Sequence, residues 1–147
     1  MNSSGPVIII EDDLDDQELL ADVFKNLQYK NELCFFTDGE KALEYLNRLD
    51  VIPFLILSDI NLPKLNGFEL REKLKMDAKL QVKCIPYLFF STAANQKSVI
   101  DAYSASVQGF FIKQSSIAEL EKTIVVIMEY WKRCASPNNF HFSKNDT

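Results

Sequence analysis

Short apolar runs alternate along the chain with segments in which apolar residues recur every three or four positions. The runs are VIII at 7–10, LCFF at 33–36, FLIL at 54–57, YLFF at 87–90 and GFFI at 109–112. Short runs of β-branched and aromatic residues are typical of strands buried on both faces of a sheet. Their alternation with helical segments predicts an α/β fold, a doubly wound five-stranded parallel sheet with helices on both faces.

Each predicted strand is followed by a predicted helix, and polar residues mark some of the helix starts. Asp15 or Asp16 can cap the first helix, and Ser116 and Glu119 have capping-box spacing before the last one. The apolar residues that mark the fourth helix are Val99, Ile100 and Tyr103. The last helix has one apolar stripe, made of Ile117, Leu120, Ile124, Ile127, Met128 and Trp131.

Length and composition narrow the functional classes. The 147 residues suffice for one domain, which we expect over residues 6–132, with a polar and poorly ordered tail at 133–147. A formal net charge of −5 argues against nucleic-acid binding, which favours a basic surface. We find no signal peptide and no apolar stretch long enough to span a membrane. Three cysteines without metal-binding spacing fit a reduced, cytoplasmic protein.

Polar side chains follow four of the predicted strands, at the point where each strand ends. In chain order they are Glu11, Asp12 and Asp13, then Ser58, Asp59 and Asn61, then Ser91 and Thr92, and finally Lys113. In open parallel sheets, ligands bind at the carboxyl ends of the strands. Each residue alone is commonly a helix cap, a turn residue or a surface charge. Their joint occurrence at four strand ends instead predicts a single site.

The chemistry of such a site follows from its residue types. Clustered carboxylates repel one another, and a hard divalent cation removes that repulsion. Mg²⁺ suits the set because it binds one or two carboxylates together with phosphate oxygens. A carboxylate beside the metal is a nucleophile toward a phosphoryl group, whose oxygens a lysine can neutralise and a hydroxyl can hydrogen-bond. The residues therefore predict a Mg²⁺-dependent phosphoryl-transfer site.

Four segments of the chain resemble the motifs of response-regulator receiver domains, which have a CheY-like, flavodoxin-like fold. The segments are IIIEDD at 8–13, LILSDINLPKLNG at 55–67, PYLFFST at 86–92 and FFIK at 110–113. Their order and spacing agree with the family across residues 6–132. A closer similarity is to small stand-alone regulators that partner phytochrome-type and other sensor histidine kinases. It rests on the segment at 55–67, on a long loop expected at 76–84 after the third helix, and on the segment at 128–131.

The resemblance implies a role for each residue of the acidic part of the site. Asp59 would accept the phosphoryl group and contribute to the Mg²⁺ site. Asp12 would bind Mg²⁺ directly, and Glu11 would bind it mostly through water. Asn61 would offer its backbone carbonyl to the metal.

The resemblance also implies how the phosphorylated state is held and signalled. Ser91 and Lys113 would contact the phosphoryl group. Phe110 would be the aromatic switch residue that moves inward when Ser91 shifts; the alternative is a strand residue packed permanently in the core. The output surface of the family runs over the fourth helix, the fifth strand and the fifth helix, which here includes Tyr103, Phe111 and Trp131.

Two positions depart from the family pattern. Thr92 stands where a small residue is usual, next to the hydroxyl of Ser91, and should crowd the entrance to Asp59. Gln114 stands where the family commonly has a proline after a cis bond. Because a cis bond costs about 2.5–4 kcal/mol before a residue other than proline, we expect a trans Lys113–Gln114 bond with Lys113 still directed at the site.

The residues leave three functional classes open. The first is a single-domain phosphoacceptor switch, which is not an enzyme beyond its own phosphorylation and dephosphorylation. Its partners would be a sensor histidine kinase and a downstream protein target or phosphotransfer protein, and an exposed Trp131 would favour a homodimer. The second is a phosphatase of the haloacid dehalogenase type, although Asn61 replaces the second aspartate of that class. The third is a binding module that keeps the fold without phosphorylation.

Overall fold

The computed structural model describes residues 2–92 and 95–136. The first half contains β1 (Val7–Ile10), α1 (Leu14–Asn26), β2 (Leu33–Phe36), α2 (Gly39–Leu46), β3 (Leu55–Ser58) and α3 (Gly67–Met76). The second half contains α4 (Ala78–Gln81), β4 (Tyr87–Ser91), α5 (Gln96–Ser104), β5 (Gly109–Ile112) and α6 (Ile117–Arg133). The predicted tail lies outside the described residues from position 137 onward.

The five strands form one parallel sheet in the order β2-β1-β3-β4-β5. β1 lies between β2 and β3, where Ile10 is in register with Phe36 on one side and Ser58 on the other. The strand order reverses direction between β1 and β3, so the carboxyl ends of these strands border the crevice where such sheets bind ligands. The predicted fold class is confirmed.

Each face of the sheet has its own apolar core. On one face, β-strand residues pack against α2, α3 and α5, whose buried residues include Ala42, Leu46, Leu70, Leu74 and Ala102. On the other face they pack against α1 and α6, whose buried residues include Leu20, Val23, Phe24, Leu120, Ile124, Ile127 and Met128. β1, β3 and β4 are buried on both faces, which explains their uninterrupted apolar runs.

The helix predicted from Val99, Ile100 and Tyr103 is present as α5, but its large apolar residues do not all face the core. Ile100 and Tyr103 are exposed by 56% and 60%, whereas Ala102 is fully buried against the sheet. Two of the three apolar residues that mark this helix thus lie on its outer side, and its inward contact is made by a small side chain. α5 therefore leaves two large apolar side chains on the surface.

Three predictions about helices are wrong. The cap of α1 is Asp13, which accepts hydrogen bonds from the backbone amides of Asp15 and Asp16. The connection at 76–84, expected as a loop, contains the single-turn helix α4. Trp131 on α6 is only partly exposed, because it packs against the core shared with α1.

Candidate functional site

The parallel register brings the carboxyl ends of β1, β3, β4 and β5 to one rim. Glu11 and Ser91 are almost fully buried there, at 2% and 1% exposure, and Asp59 is partly buried. Asp12 is exposed above them. The four strand ends that the sequence singled out thus meet in space.

Three carboxylates form the acidic part of this rim. Glu11, Asp12 and Asp59 each offer one oxygen, and these three atoms lie within 4.8 Å of one another. Like charges at this distance repel strongly when they are partly desolvated. An oxygen-only donor set with an exposed side fits Mg²⁺, which keeps some of its water ligands. These residues therefore fit the metal that the motifs imply.

Asp59 is held by donors on both sides of its carboxylate. Its amide donates to the Ile10 carbonyl at 2.9 Å, and its Oδ1 accepts from the Ile60 amide at 2.7 Å. Burial raises the pKa of the Asp59 carboxyl, whereas hydrogen bonds from Ser91, Ile60 and Asn61 oppose that shift. These donors keep the carboxylate in one orientation at the open side of the rim, as a nucleophile requires.

Lys113 reaches the acids from the end of β5. Its Nζ contacts a Glu11 carboxylate oxygen and lies 3.5 Å from Asp59 Oδ2 and 3.2 Å from Asp16 Oδ2. Burial lowers the pKa of the Lys113 ammonium to about 8. The Lys113–Gln114 bond is trans, and the lysine is directed at the site, so both structural parts of that prediction are confirmed.

Asp16 is a member of the site that sequence reasoning missed, since it was assigned to the helix cap or the surface. With Asp13 as the cap, the first turn of α1 places the Asp16 carboxylate beside Lys113. Burial, together with the charges of Asp13 and Asp59, raises the pKa of Asp16. Asp16 lies three residues after the true cap, Asp13, and this spacing was the signal in the sequence that could have placed it at the rim.

The remaining predicted residues lie around this centre. Asn61 is exposed directly after the Asp59 turn, and Thr92 is exposed next to Ser91. Phe110 is partly buried, and its ring centroid lies 6.0 Å from that of Phe89. Phe110 packs against the core on the face of α2, α3 and α5 and keeps part of its ring exposed.

The sequence matches a family model described as the response regulator receiver domain over residues 7–125. The chain is 30% identical to the response regulator Rcp1 of Synechocystis, covering 88% of this chain and 90% of that protein. It is 29% identical to the probable methanogenesis regulatory protein FilR2 of Methanothrix harundinacea, covering 85% and 82%. The family model and the match to Rcp1 support the receiver family over the phosphatase alternative.

Solved structures agree with this match. The phosphorylated cyanobacterial phytochrome response regulator RcpA has a TM-score of 0.79 at 28% identity, with 89% of this chain and 96% of that chain covered. The response regulator RPA3017, in red light signaling of R. palustris, has a TM-score of 0.79 at 27% identity, with 90% and 96% covered. Among the described residues, no helix combines the length and apolar character needed to cross a membrane.

Proposed function

The chain belongs to the response regulator receiver domain family, and from this premise we propose that Asp59 is its phosphoacceptor. The observation that carries the proposal is the convergence on Asp59 of two further carboxylates and one lysine. Glu11 and Asp12 have oxygens within 4.8 Å of Asp59, and Lys113 Nζ is 3.5 Å from Oδ2. The functional unit is proposed to span residues 6–132.

Glu11, Asp12, Asp59 and the backbone carbonyl of Asn61 are proposed to hold Mg²⁺. The metal would supply charge neutralisation between the carboxylates and the incoming phosphoryl oxygens. The chain itself supplies the orientation of Asp59, through the donors on Ile60 and Ser91. The exposed side of Asp12 leaves the donor room to approach.

In the transfer step, a carboxylate oxygen of Asp59 attacks the phosphorus atom of a phosphohistidine. An O–P bond forms, the P–N bond breaks, and its electron pair stays on the imidazole of the kinase. Lys113 then exchanges part of its contact with the carboxylates for a phosphoryl oxygen, and the Ser91 hydroxyl donates to another. Both groups already contact Asp59 before the transfer.

Receiver domains take their phosphoryl group from histidine kinases. We propose a phytochrome-type kinase as the donor, because RcpA is a phytochrome response regulator and is 28% identical to this chain. The output is proposed to leave through the face made by α5, β5 and α6, to a protein partner or a second copy. Tyr103 is exposed on this face, Phe111 is partly exposed, and the exposed aromatic residue of α6 is Tyr130 rather than Trp131.

The test is the intact mass of the protein after incubation with acetyl phosphate and Mg²⁺. The wild type should gain the mass of one phosphoryl group, and chelation of the metal should prevent the gain. Asp59→Asn should show no gain, while the matched control Asp22→Asn, an exposed acid on α1, should behave as the wild type. A gain that persists in Asp59→Asn would reject Asp59 as the acceptor.

A further inference from the structure

A closed ring of polar contacts lies beneath Asp59, in the interior of the protein. Tyr87 on β4 is fully buried, and its hydroxyl lies 3.0 Å from Ser58 Oγ and 2.9 Å from the Gly67 carbonyl. The Ser58 hydroxyl donates to the Asp59 carbonyl at 2.8 Å. The Gly67 amide donates to the Ile60 carbonyl at 2.9 Å, which closes the ring through the Asp59–Ile60 peptide.

This ring contains the backbone on both sides of the phosphoacceptor. Tyr87 and Ser58 supply one hydroxyl proton each to three short contacts, so one proton is shared between two acceptors and the ring has no free donor. Burial raises the pKa of the Tyr87 hydroxyl, which therefore stays protonated and acts as a donor. Buried hydrogen bonds of this kind fix geometry because an unpaired buried carbonyl is costly.

The approach of α3 to Asp59 shows how tightly this geometry is set. A Cβ atom on Gly67 would lie 2.4 Å from the Asp59 carbonyl oxygen and 2.7 Å from the Phe89 ring. Only glycine allows the start of α3 to come this close to the backbone of the phosphoacceptor. The Tyr87 hydroxyl then ties the same glycine to Ser58, directly before Asp59.

We propose that Tyr87 is a positioning residue for phosphoryl transfer, acting through Ser58 and Gly67 on the backbone of Asp59. The proposal rests on Asp59 being the phosphoacceptor. Tyr87 touches neither the donor nor the carboxylate. Its hydroxyl fixes the turn after β3, and that turn aims the Asp59 carboxylate and places the Asn61 carbonyl at the rim.

The experiment compares phosphorylation by acetyl phosphate in the full-length wild type, Tyr87→Phe, Ser58→Ala and the double variant. Misplacing a reacting group by a fraction of an ångström lowers rates strongly, and we expect each single variant to lower the maximal rate about tenfold. The half-saturating donor concentration should stay unchanged, because Tyr87 does not contact the donor. The double variant should be no slower than the slower single variant, since both changes open the same ring.

The matched control is Tyr29→Phe, which removes a tyrosine hydroxyl that donates to Glu129 at 2.9 Å, far from the rim. It should be phosphorylated at the wild-type rate. A wild-type maximal rate in Tyr87→Phe would overturn the proposal, and so would losses that multiply in the double variant. If Tyr87→Phe does not fold, Ser58→Ala alone decides, by the same rate criterion.

A second measurement separates this proposal from the proposed function. In the unphosphorylated proteins, the amide chemical shifts of Asp59, Ile60 and Gly67 should change in Tyr87→Phe and stay unchanged in Tyr29→Phe. Unchanged amide shifts in Tyr87→Phe would show that the Tyr87 hydroxyl does not hold this backbone, and would overturn the proposal whatever the phosphorylation result. Absence of phosphorylation in the wild type, together with changed shifts, would refute the phosphoacceptor assignment and with it the role of Tyr87 in transfer.

Discussion

Two partly buried lysines lie at opposite ends of the sheet and differ in what their ammonium groups contact. Lys83, which precedes β4, donates to the carbonyls of Leu46 at 2.8 Å and of Arg48 and Val51 at 2.9 Å each. Lys113, which follows β5, contacts carboxylates instead. Burial lowers the pKa of both ammonium groups.

The difference between the partners separates a structural role from a functional one. The three carbonyls around Lys83 are neutral and belong to the end of α2 and the loop after it, so the lysine simply joins that loop to the segment before β4. The carboxylates around Lys113 carry more charge than one lysine can neutralise. A bound metal ion would neutralise this excess negative charge.

The largest stability effect should therefore come from the lysine that is far from the site. Lys83→Met leaves three carbonyls without their donor, and we expect it to lower the free energy of unfolding by about 2–3 kcal/mol. The loss should be the same with and without Mg²⁺. Lys113→Met should instead be most destabilising without Mg²⁺, because the metal replaces part of the lost positive charge.

Urea unfolding of the wild type, Lys83→Met and Lys113→Met, with and without Mg²⁺, measures both effects. Lys79→Met, which changes an exposed lysine in α4, controls for the loss of one positive charge near Lys83. A Lys83→Met loss no larger than that of Lys79→Met would mean that the three carbonyl contacts contribute nothing. A Mg²⁺-dependent loss in Lys83→Met would remove the contrast between the two lysines.

The carboxylates around Lys113 supply the second prediction. Asp12→Asn or Asp59→Asn removes one repelling charge, and each should stabilise the metal-free protein. We expect about 1–3 kcal/mol for the partly buried Asp59 and less for the exposed Asp12, whose charge water screens. Mg²⁺ should stabilise the wild type more than either variant, because it binds the folded site. The same urea experiments measure this. If Asp12→Asn destabilises the metal-free protein and keeps the full Mg²⁺ response, the metal assignment is wrong.

The fold was predictable because three central strands are buried on both faces. Burial of both faces makes β1, β3 and β4 uninterrupted apolar runs, which stand out between amphipathic helices. α5 was recognised as a helix but not oriented, because its inward residue is Ala102 and its larger apolar residues face solvent. The apolar pattern of this helix alone therefore does not say which side faces the sheet.

The site was predictable where it depends on strand ends and less so where it depends on helices. The carboxyl ends of parallel strands bring Glu11, Asp59, Ser91 and Lys113 together, and this does not depend on where the helices begin. Asp16 was missed because its position depends on which aspartate caps α1. The partnership of Tyr87 with Ser58 was also missed, since a tyrosine within an apolar strand gives no sign of where its hydroxyl points.

The third prediction concerns pH. Because burial raises the pKa of Asp59 above its ordinary 3.8, the folded protein binds more protons than the unfolded chain in the window above that value. Asp59 therefore costs stability as the pH rises through this window. The stabilisation by Asp59→Asn should be full at pH 7 and should shrink toward zero near pH 4. A difference that stays constant between these pH values would contradict a buried, repelled carboxylate.

The smallest expected effect is at Thr92, the exposed residue next to the buried hydroxyl of Ser91. Its side chain should hinder small donors and water at the entrance to Asp59. Thr92→Gly should raise both the rate of phosphorylation by acetyl phosphate and the rate of dephosphorylation about threefold, or roughly 0.6 kcal/mol in each barrier. Thr37→Gly, which changes an exposed threonine after β2, controls for the flexibility that glycine adds and should change neither rate.

If Thr92→Gly leaves both rates unchanged while Asp59 is still phosphorylated, Thr92 does not restrict the entrance. If only dephosphorylation accelerates, Thr92 excludes water without hindering the donor.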